Sequence, residues 1–308
     1  ETGLIARRRD VSISNLWKAE IHAMTLDPGV LLLVLLAAVL HASWNALIKA
    51  GGDQLVMTTV IMFVPILPCA AIVLTQPAMA AAAWPYVILS AVVHWFYFGV
   101  LIGSYRYGDF SQVYPIARGT APAMVAFAAW IFEGEALTGI ETLGALIVSA
   151  GIVSLAWRRR GGTALTHEPK AIGFALLTAV SIAIYLVADG MGARRSGDVL
   201  VYIGWQFVLQ STPLVAFTLW RRRGRIRESF RPYLKQGFLG GAIAGISYGI
   251  AIWAMSVAPL AHVVAVRETS VLFGAVIGAV LLKESFGRYR ILASAVIVVG
   301  AVLLNLGG

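Results

Sequence analysis

The chain carries an arginine in the middle of a membrane-length apolar run twice, and the two stretches match each other. Residues 114–120 read Tyr-Pro-Ile-Ala-Arg-Gly-Thr, and residues 263–269 read Val-Val-Ala-Val-Arg-Glu-Thr. Adding 149 to a residue number maps Arg118 onto Arg267, and the same shift pairs Thr120 with Thr269, Ala126 with Ala275, Glu135 with Glu284 and Gly151 with Gly300. A charge at the bilayer centre costs at least ~2.5 kcal/mol. Two matched charges therefore indicate a duplicated membrane protein.

The composition excludes most soluble classes. Hydrophobic residues make up 59% of the chain and charged residues 13%, well below the ~25% charged residues of soluble domains. The net charge of +9 does not indicate nucleic-acid binding, because the arginines lie in short connections such as 158–160 and 221–231. The single cysteine, Cys69, rules out a disulfide framework and a cysteine-rich metal site.

Ten apolar runs are long enough to cross the bilayer as helices. They cover residues 29–49, 54–75, 83–105, 112–132, 139–158, 171–191, 199–220, 236–257, 261–282 and 289–307. Each half holds five spans, and an odd number makes the second copy enter the membrane in the opposite orientation. We therefore predict an all-α polytopic membrane protein with ten transmembrane helices, arranged as two inverted five-helix repeats. The predicted parts are a leader (1–28), a first repeat (29–158), a linker (159–170) and a second repeat (171–308).

Lysine and arginine are distributed unevenly between the two sides of this arrangement. With both termini outside, the inner connections hold sixteen of these residues and the outer connections hold only Arg194 and Arg195. Basic residues favour the cytoplasmic side. We predict outer, periplasmic termini, although the basic residues of the leader oppose this orientation.

The two arginines are the first candidate binding residues. Arg118 lies between Pro115 and Pro122, so the helix loses backbone hydrogen bonds near it. Its guanidinium could bind a substrate carboxylate in bidentate fashion, or it could pair with an internal carboxylate. Arg267 precedes Glu268, which could exchange protons or could neutralise one of the arginines.

Polar and aromatic residues at mid-span provide the other candidates. His41 and Asn45 share one face of the first span, and they could hydrogen-bond a ligand or a neighbouring helix. Aromatic side chains and a second histidine could line a pocket for flat or cationic groups. These candidates are Trp44, His94, Tyr97, Phe98, Tyr114, Tyr185, Tyr248 and Trp253.

The eighth span repeats glycine every fourth residue, which predicts a smooth face for close helix packing. These glycines are Gly237, Gly241, Gly245 and Gly249. The nucleotide-binding, zinc-protease and serine-hydrolase motifs are absent from the sequence. We therefore predict that the protein is not an enzyme and that it uses neither a metal nor a cofactor.

Ten spans in two halves, with mid-span arginines in the fourth and ninth spans and a glutamate after each, resemble the drug/metabolite transporter superfamily. The match is closest to its EamA-type members, which include bacterial exporters of amino acids and related metabolites. The resemblance implies that spans 1–4 and 6–9 surround a central cavity, with spans 5 and 10 at the periphery. It also implies a bacterial inner-membrane protein.

We expect from this a secondary transporter that exports small metabolites, namely amino acids, aromatic ones among them, by alternating access through the cavity. Its partners are a small-molecule substrate and the lipid bilayer, nucleic acid is not one of them, and a monomer is expected. One alternative is proton-coupled efflux of lipophilic cationic drugs through Glu268. An alternative from another class is a membrane sensor or scaffold that transports nothing.

Overall fold

Helices form nearly all of the computed structural model, which describes residues 26–107, 117–119, 121–156, 169–281 and 288–306. The first half contains α1 Pro28–Ala50, α2 Gln54–Thr75, α3 Trp84–Tyr107, α4 Ala121–Glu133 and α5 Gly139–Ala156. The second half contains α6 Pro169–Arg195, α7 Val199–Arg221, α8 Ile226–Phe230, α9 Leu234–Val257, α10 Leu260–Glu268, α11 Ser270–Leu281 and α12 Arg288–Leu306. These ranges contain no β-strand, so the all-α prediction is confirmed.

Aspartates set the starts of three long helices. Asp27 accepts a hydrogen bond from the Gly29 amide at 2.8 Å, and Asp198 accepts one from the Leu200 amide at 2.8 Å. Asp53 caps α2 in the same way. Each carboxylate satisfies an amide that the helix itself leaves without a partner. These helices therefore begin close to where the apolar runs predict.

Six helical segments of the described residues are long and apolar enough to cross a bilayer. They are 28–48, 54–75, 81–101, 170–195, 199–221 and 226–257, and two shorter apolar helices cover 139–154 and 295–304. The protein is therefore a multi-pass membrane protein. The predicted fourth span begins at residue 112, outside the described residues, and α4 covers its second part.

The ninth predicted span is divided into two helices at mid-span. α10 ends at Glu268, Thr269 is a turn residue, and α11 begins at Ser270. The Thr269 hydroxyl donates to the Val266 carbonyl at 2.6 Å, which satisfies one carbonyl at the end of α10. All nine residues of α10 are buried. The break places Arg267 in the last turn of a buried helix, where the dipole favours a positive charge.

The contacts between the two halves occur in matching pairs. α3 packs on α6, and α1 packs on α9, which is the same pairing after a shift of five spans. α2 packs on α7, and α5 packs on α12. The two halves therefore contribute equivalent helices to each side of the bundle.

Glycines allow the close crossing of α5 and α12. A Cβ added to Gly144 would lie 2.7 Å from the Gly300 carbonyl oxygen, and one added to Gly300 would lie 2.9 Å from the Gly144 carbonyl oxygen. Gly151 faces Ile297 in the same crossing. Gly151 and Gly300, which the sequence repeat relates, therefore serve the same contact between the fifth and last spans.

The outer surface of the bundle is apolar. Large hydrophobic side chains are exposed on many helices, among them Leu32, Leu74, Phe127, Trp130, Phe132 and Leu292. Soluble monomers rarely expose contiguous apolar patches of this kind. Lipid contact accounts for this surface.

The glycine ladder of α9 faces α2, and its four positions are not equally tight. A Cβ on Gly237 would lie 2.4 Å from Val60 Cγ1, and one on Gly241 would lie 2.6 Å from the Ile61 carbonyl oxygen. The nearest atom to a Cβ on Gly249 is 3.9 Å away. Close contact between α9 and α2 therefore explains the glycines at positions 237 and 241, but it does not explain Gly249.

We expect Gly241→Ala to lower the thermal stability of the purified protein and Gly249→Ala to leave it unchanged or slightly higher. Overpacking costs about 1–3 kcal/mol, which outweighs the roughly 1 kcal/mol that alanine contributes in a helix interior. Melting curves of both variants in one detergent measure the difference. Equal shifts for the two alanines would contradict the packing described for α9.

Candidate functional site

His41 of α1 lies between the two mid-span arginines. Arg118 Nη2 is 2.8 Å from His41 Nε2, and Arg267 Nη2 is 3.3 Å from His41 Nδ1. All three side chains are at least 95% buried. The arginines that the sequence repeat relates therefore meet at one histidine in the centre of the bundle.

The histidine cannot accept hydrogen bonds from both arginines. A neutral imidazole carries one lone pair and one N–H, and an imidazolium has no lone pair. The shorter contact, to Arg118, assigns the lone pair to Nε2. The Nδ1–H then points toward Arg267, which also can only donate, so His41 satisfies Arg118 and not Arg267.

Glu268 forms an ion pair with Arg118. Its Oε2 lies 2.9 Å from Arg118 Nε, and both side chains are almost completely buried. The ion pair joins the fourth span to the ninth, and hence one half of the chain to the other. Of the two roles considered for Glu268, the geometry thus favours neutralisation of an arginine.

Arg267 is left with unused donors. Among the residues that the structure describes, its Nε and Nη1 have no hydrogen-bond partner, although the side chain is only 2% exposed. Its guanidinium carbon lies 5.2 Å from the centroid of the Tyr248 ring. A buried guanidinium with two free N–H groups is costly unless something binds it. Arg267 is therefore well suited to bind an anion.

A cavity of about 50 Å³ opens beside Arg267 at the centre of the bundle. Eight of the residues predicted from the sequence line it: His41, Trp44, His94, Tyr97, Phe98, Tyr185, Tyr248 and Arg267. Four further lining residues have no signal in the sequence: Met62, Phe207, Gln210 and Ala244. At this volume the cavity has room for a few waters.

Aromatic rings form one wall of the cavity, next to Arg267. The His94 ring is 4.0 Å from the Tyr185 ring and 5.8 Å from the Tyr248 ring, measured between centroids. The Phe207 ring meets the Tyr248 ring edge-on at 6.0 Å. Because the faces of such rings are electronegative, this wall can bind flat groups and cationic groups.

Hydrogen bonds fix the orientation of His94 in this wall. Its Nδ1 lies 2.8 Å from the Ser90 carbonyl oxygen, which can only accept, so Nδ1 carries the proton. Gln206 of α7 donates a hydrogen bond to the Ser90 hydroxyl at 2.8 Å, which stabilises the turn of α3 that carries His94. The lone pair of His94 is therefore on Nε2, which makes the ring an acceptor.

Asp189 of α6 lies behind the aromatic wall and is completely buried. Tyr202 donates to its carboxylate at 3.0 Å, and Tyr248 donates to its other oxygen. Tyr248 thus touches Asp189 through its hydroxyl and Arg267 through its ring face. Asp189 lies near the end of the predicted span 171–191, and position along a helix does not reveal which side chains the neighbouring helices bring to it.

The remaining predicted residues lie elsewhere. Asn45 donates to the His41 carbonyl within α1 and does not line the cavity. Trp253 packs against the hydrophobic core. Arg118 and Glu268 lie behind His41 as the ion pair described above. Tyr114 lies outside the described residues.

Ion clusters tie the helices together at both ends of α9. At its C-terminal end, Arg194 pairs with Glu135 at 2.6 Å and donates to the Met255 and Ala258 carbonyls. The same glutamate accepts from the Leu260 amide. Further pairs are Arg195 with Glu133 at that end and Arg222 with Asp53 at the other. The cavity lies between these two sets of contacts.

Comparison with known proteins identifies the second half of the chain. Residues 169–306, from α6 to α12, match the EamA-like transporter family. One solved structure, titled only "Crystal structure of protein", has 20% sequence identity and covers 90% of this chain and 95% of its own. It aligns with a TM-score of 0.64, which shows a shared fold alone. A search of curated proteins found no match.

The resemblance to EamA-type transporters that the duplicated arginine motif indicated is confirmed. The expectation that the chain is not an enzyme agrees with this family, whose members are transporters. The protein is therefore a helical, multi-pass membrane protein with an EamA-like transporter domain over residues 169–306.

Proposed function

We propose that this protein is a secondary transporter that exports amino acids through the cavity beside Arg267. The observation that carries the proposal is the state of Arg267, a buried guanidinium that lines the cavity and whose Nε and Nη1 have no hydrogen-bond partner among the described residues. A carboxylate is the anion that such a planar fork binds with two parallel hydrogen bonds. Every amino acid offers one.

The rest of the cavity suits the other parts of an amino acid. Tyr185, Tyr248 and His94 present ring faces that attract an ammonium group, and His94 Nε2 can accept a hydrogen bond from it. Phe98, Phe207 and Met62 provide apolar surface for a side chain. An amphipathic substrate with its carboxylate on Arg267 uses each of these groups.

The cavity favours this substrate over a lipophilic cationic drug. Among the described residues that line it, Arg267 is the one with a fixed charge, and that charge is positive. Glu268, the acid that cation efflux would require, is 0% exposed and paired with Arg118. A cation without a carboxylate of its own would meet the like charge of Arg267, and no carboxylate is among the residues that line the cavity. No observation favours a sensor or scaffold.

Alternating access is the mechanism that we propose for this site. A cavity of about 50 Å³ is far smaller than the ~300 Å³ or more of typical small-molecule sites, so an amino acid requires the surrounding helices to move apart. The break between α10 and α11 supports such a movement, because transporters place their sites at discontinuous helices. The ion clusters at the two ends of α9 are suitable contacts to open and close in turn.

The repeat architecture, the membrane location and the orientation of the chain form part of the same proposal. We propose two inverted repeats, 29–158 and 171–308, around the cavity, a location in a bacterial inner membrane, and termini on the periplasmic side. The matching pairs of helix contacts support the repeat. The uneven distribution of lysine and arginine supports the orientation.

Counterflow in proteoliposomes tests the proposed function. Vesicles that contain the purified protein and unlabelled amino acid should accumulate the same labelled amino acid from outside, whereas protein-free vesicles should not. A panel with phenylalanine, threonine and a hydrophobic cation separates the two substrate classes. Counterflow of the cation without counterflow of any amino acid would contradict the proposal.

A further inference from the structure

Two ionisable side chains, Arg267 and Asp189, remain in the core once Arg118 and Glu268 are paired, and both contact Tyr248. Arg267 lies over the ring at 5.2 Å from its centroid, and the hydroxyl of the same side chain donates to Asp189. We propose that Asp189 is the counter-charge for the ammonium group of a zwitterionic amino acid, and that it carries a proton when the ammonium is absent. This inference rests on the proposed function and names the substrate class and the coupling ion of that site.

The surroundings of Asp189 indicate a functional role. It is 0% exposed, and among the described residues no lysine, arginine or histidine forms an ion pair with it. The hydroxyls of Tyr202, Tyr248 and Ser90 donate hydrogen bonds to it, and they satisfy the carboxylate without neutralising it. An acid in the membrane without a cationic partner is costly and typically serves transport or proton transfer.

The titratable and charged groups around Asp189 come from each neighbouring long helix. They are Tyr185 on α6 itself, His94 on α3, Tyr202 on α7, Tyr248 on α9, Arg267 and Glu268 on α10, and Arg118 ahead of α4. Arg118 and Glu268 neutralise each other, and the rest carry no fixed charge except Arg267. Arg267 and an ionised Asp189 therefore provide one positive and one negative charge when a substrate is bound, as in an amino-acid zwitterion with its charges reversed.

A single bound amino acid can interact with both Arg267 and Asp189. With the carboxylate on Arg267, the ammonium lies one carbon away, over the faces of Tyr185 and Tyr248, where aromatic rings attract cations. Asp189 is behind these rings, at the hydroxyl end of Tyr248. Its negative charge acts on the ammonium across one tyrosine and is weakly screened there, because Asp189 is completely buried.

Ammonium and proton then compete for Asp189, because each neutralises the same carboxylate. When an amino acid binds on the inner side, the carboxyl O–H bond breaks and the proton passes to water on that side. After the amino acid leaves on the outer side, the carboxylate takes a proton from water there. Each amino acid exported thus exchanges for one proton, and one net charge crosses the membrane because the zwitterion is neutral.

Asp189→Asn tests this proposal in proteoliposomes. The wild type should export labelled phenylalanine faster when a pH gradient, acidic outside, is imposed, and Asp189→Asn should lose this response while it keeps counterflow with a raised KM. Competition gives a second readout. Phenylpropionate, which lacks the ammonium, should compete at least roughly tenfold less well than phenylalanine in the wild type, and about equally in the variant.

Asp198→Asn is the matched control, because it makes the same change at the exposed first turn of α7, where asparagine also caps well. It should behave as the wild type. An Asp189→Asn protein that still responds to the pH gradient and still prefers phenylalanine over phenylpropionate would overturn the proposal.

A measurement on the wild type alone covers the case in which Asp189→Asn fails to fold. Phenylalanine added to the purified protein in weak buffer should release protons, which a pH indicator dye reports, and phenylpropionate should not. Phenylalanine binding without proton release would overturn the inference and leave the proposed function standing. Absence of wild-type counterflow for every amino acid would overturn both.

Discussion

Replacing Arg118 with glutamine is expected to lower the free energy of unfolding by about 3–5 kcal/mol, the usual cost of breaking a buried ion pair. The substitution leaves Glu268 charged, 0% exposed and without the guanidinium at 2.9 Å. It also removes the donor that His41 Nε2 accepts from. Thermal melting in detergent, together with the yield of monodisperse protein, measures the loss.

A second substitution separates the ion pair from a general packing defect. Arg118→Gln combined with Glu268→Gln removes both charges, so most of the lost stability should return. Arg222→Gln is the matched control, because its partner Asp53 is 30% exposed, and pairs at the surface contribute only about 0–1 kcal/mol. A double variant no more stable than Arg118→Gln alone would contradict the pairing.

Replacing Arg267 with glutamine is expected to leave the fold intact and to weaken amino-acid binding by roughly 30-fold or more. Loss of one partner of a buried, hydrogen-bonded charge pair costs about 2–5 kcal/mol of binding. The fold should tolerate the change because the guanidinium has unpaired Nε and Nη1 among the described residues. Counterflow at varied amino-acid concentration gives the KM of each variant.

Arg267→Lys provides the graded control for the second prediction. A lysine keeps the positive charge but replaces the planar fork with a single point, so its KM should fall between those of the wild type and the glutamine variant. Phenethylamine, which lacks the carboxylate, should compete poorly in the wild type and no worse in Arg267→Gln. A normal KM for phenylalanine in Arg267→Gln would remove Arg267 from the binding site.

The sequence was sufficient to predict the helical fold, because apolar length and the spacing of the repeat depend on local composition. It also indicated that Arg118 and Arg267 lie at mid-span in equivalent positions of the two halves. It could not decide which arginine forms the ion pair with Glu268. Arg267 and Glu268 are adjacent in α10, but adjacent side chains on a helix face different neighbouring helices. Packing between halves, which brings Arg118 within 2.9 Å of Glu268, decides the partner.

The two arginine motifs differ because their neighbours differ. At the position equivalent to Glu268 the first half has Gly119, where an added Cβ would lie 3.0 Å from the Ile152 side chain. The first copy therefore has no room for its own acid, and one glutamate serves a core that contains two arginines. This asymmetry gives Arg118 a partner and leaves Arg267 with donors that no described residue uses, a distinction that the matched sequences conceal.

Other features of the site are equally invisible in the sequence. The break at Thr269 carries no proline or glycine, so the run 261–282 reads as one continuous span. Asp189 gains its role from Tyr202 and Tyr248, which come from two other helices. Met62 and Gln210 line the cavity through helix rotation, which the apolar pattern of a lipid-facing bundle specifies poorly.

Arg118 joins the two halves through its ion pair with Glu268, and we propose that Arg267 binds the substrate. The most direct test is the dissociation constant of phenylalanine, measured by calorimetry, for Arg118→Gln/Glu268→Gln and for Arg267→Gln. The double variant should bind within roughly threefold of the wild type, and Arg267→Gln should bind roughly 30-fold or more weakly. Weak binding by the double variant together with normal binding by Arg267→Gln would contradict the assignment of the two arginines.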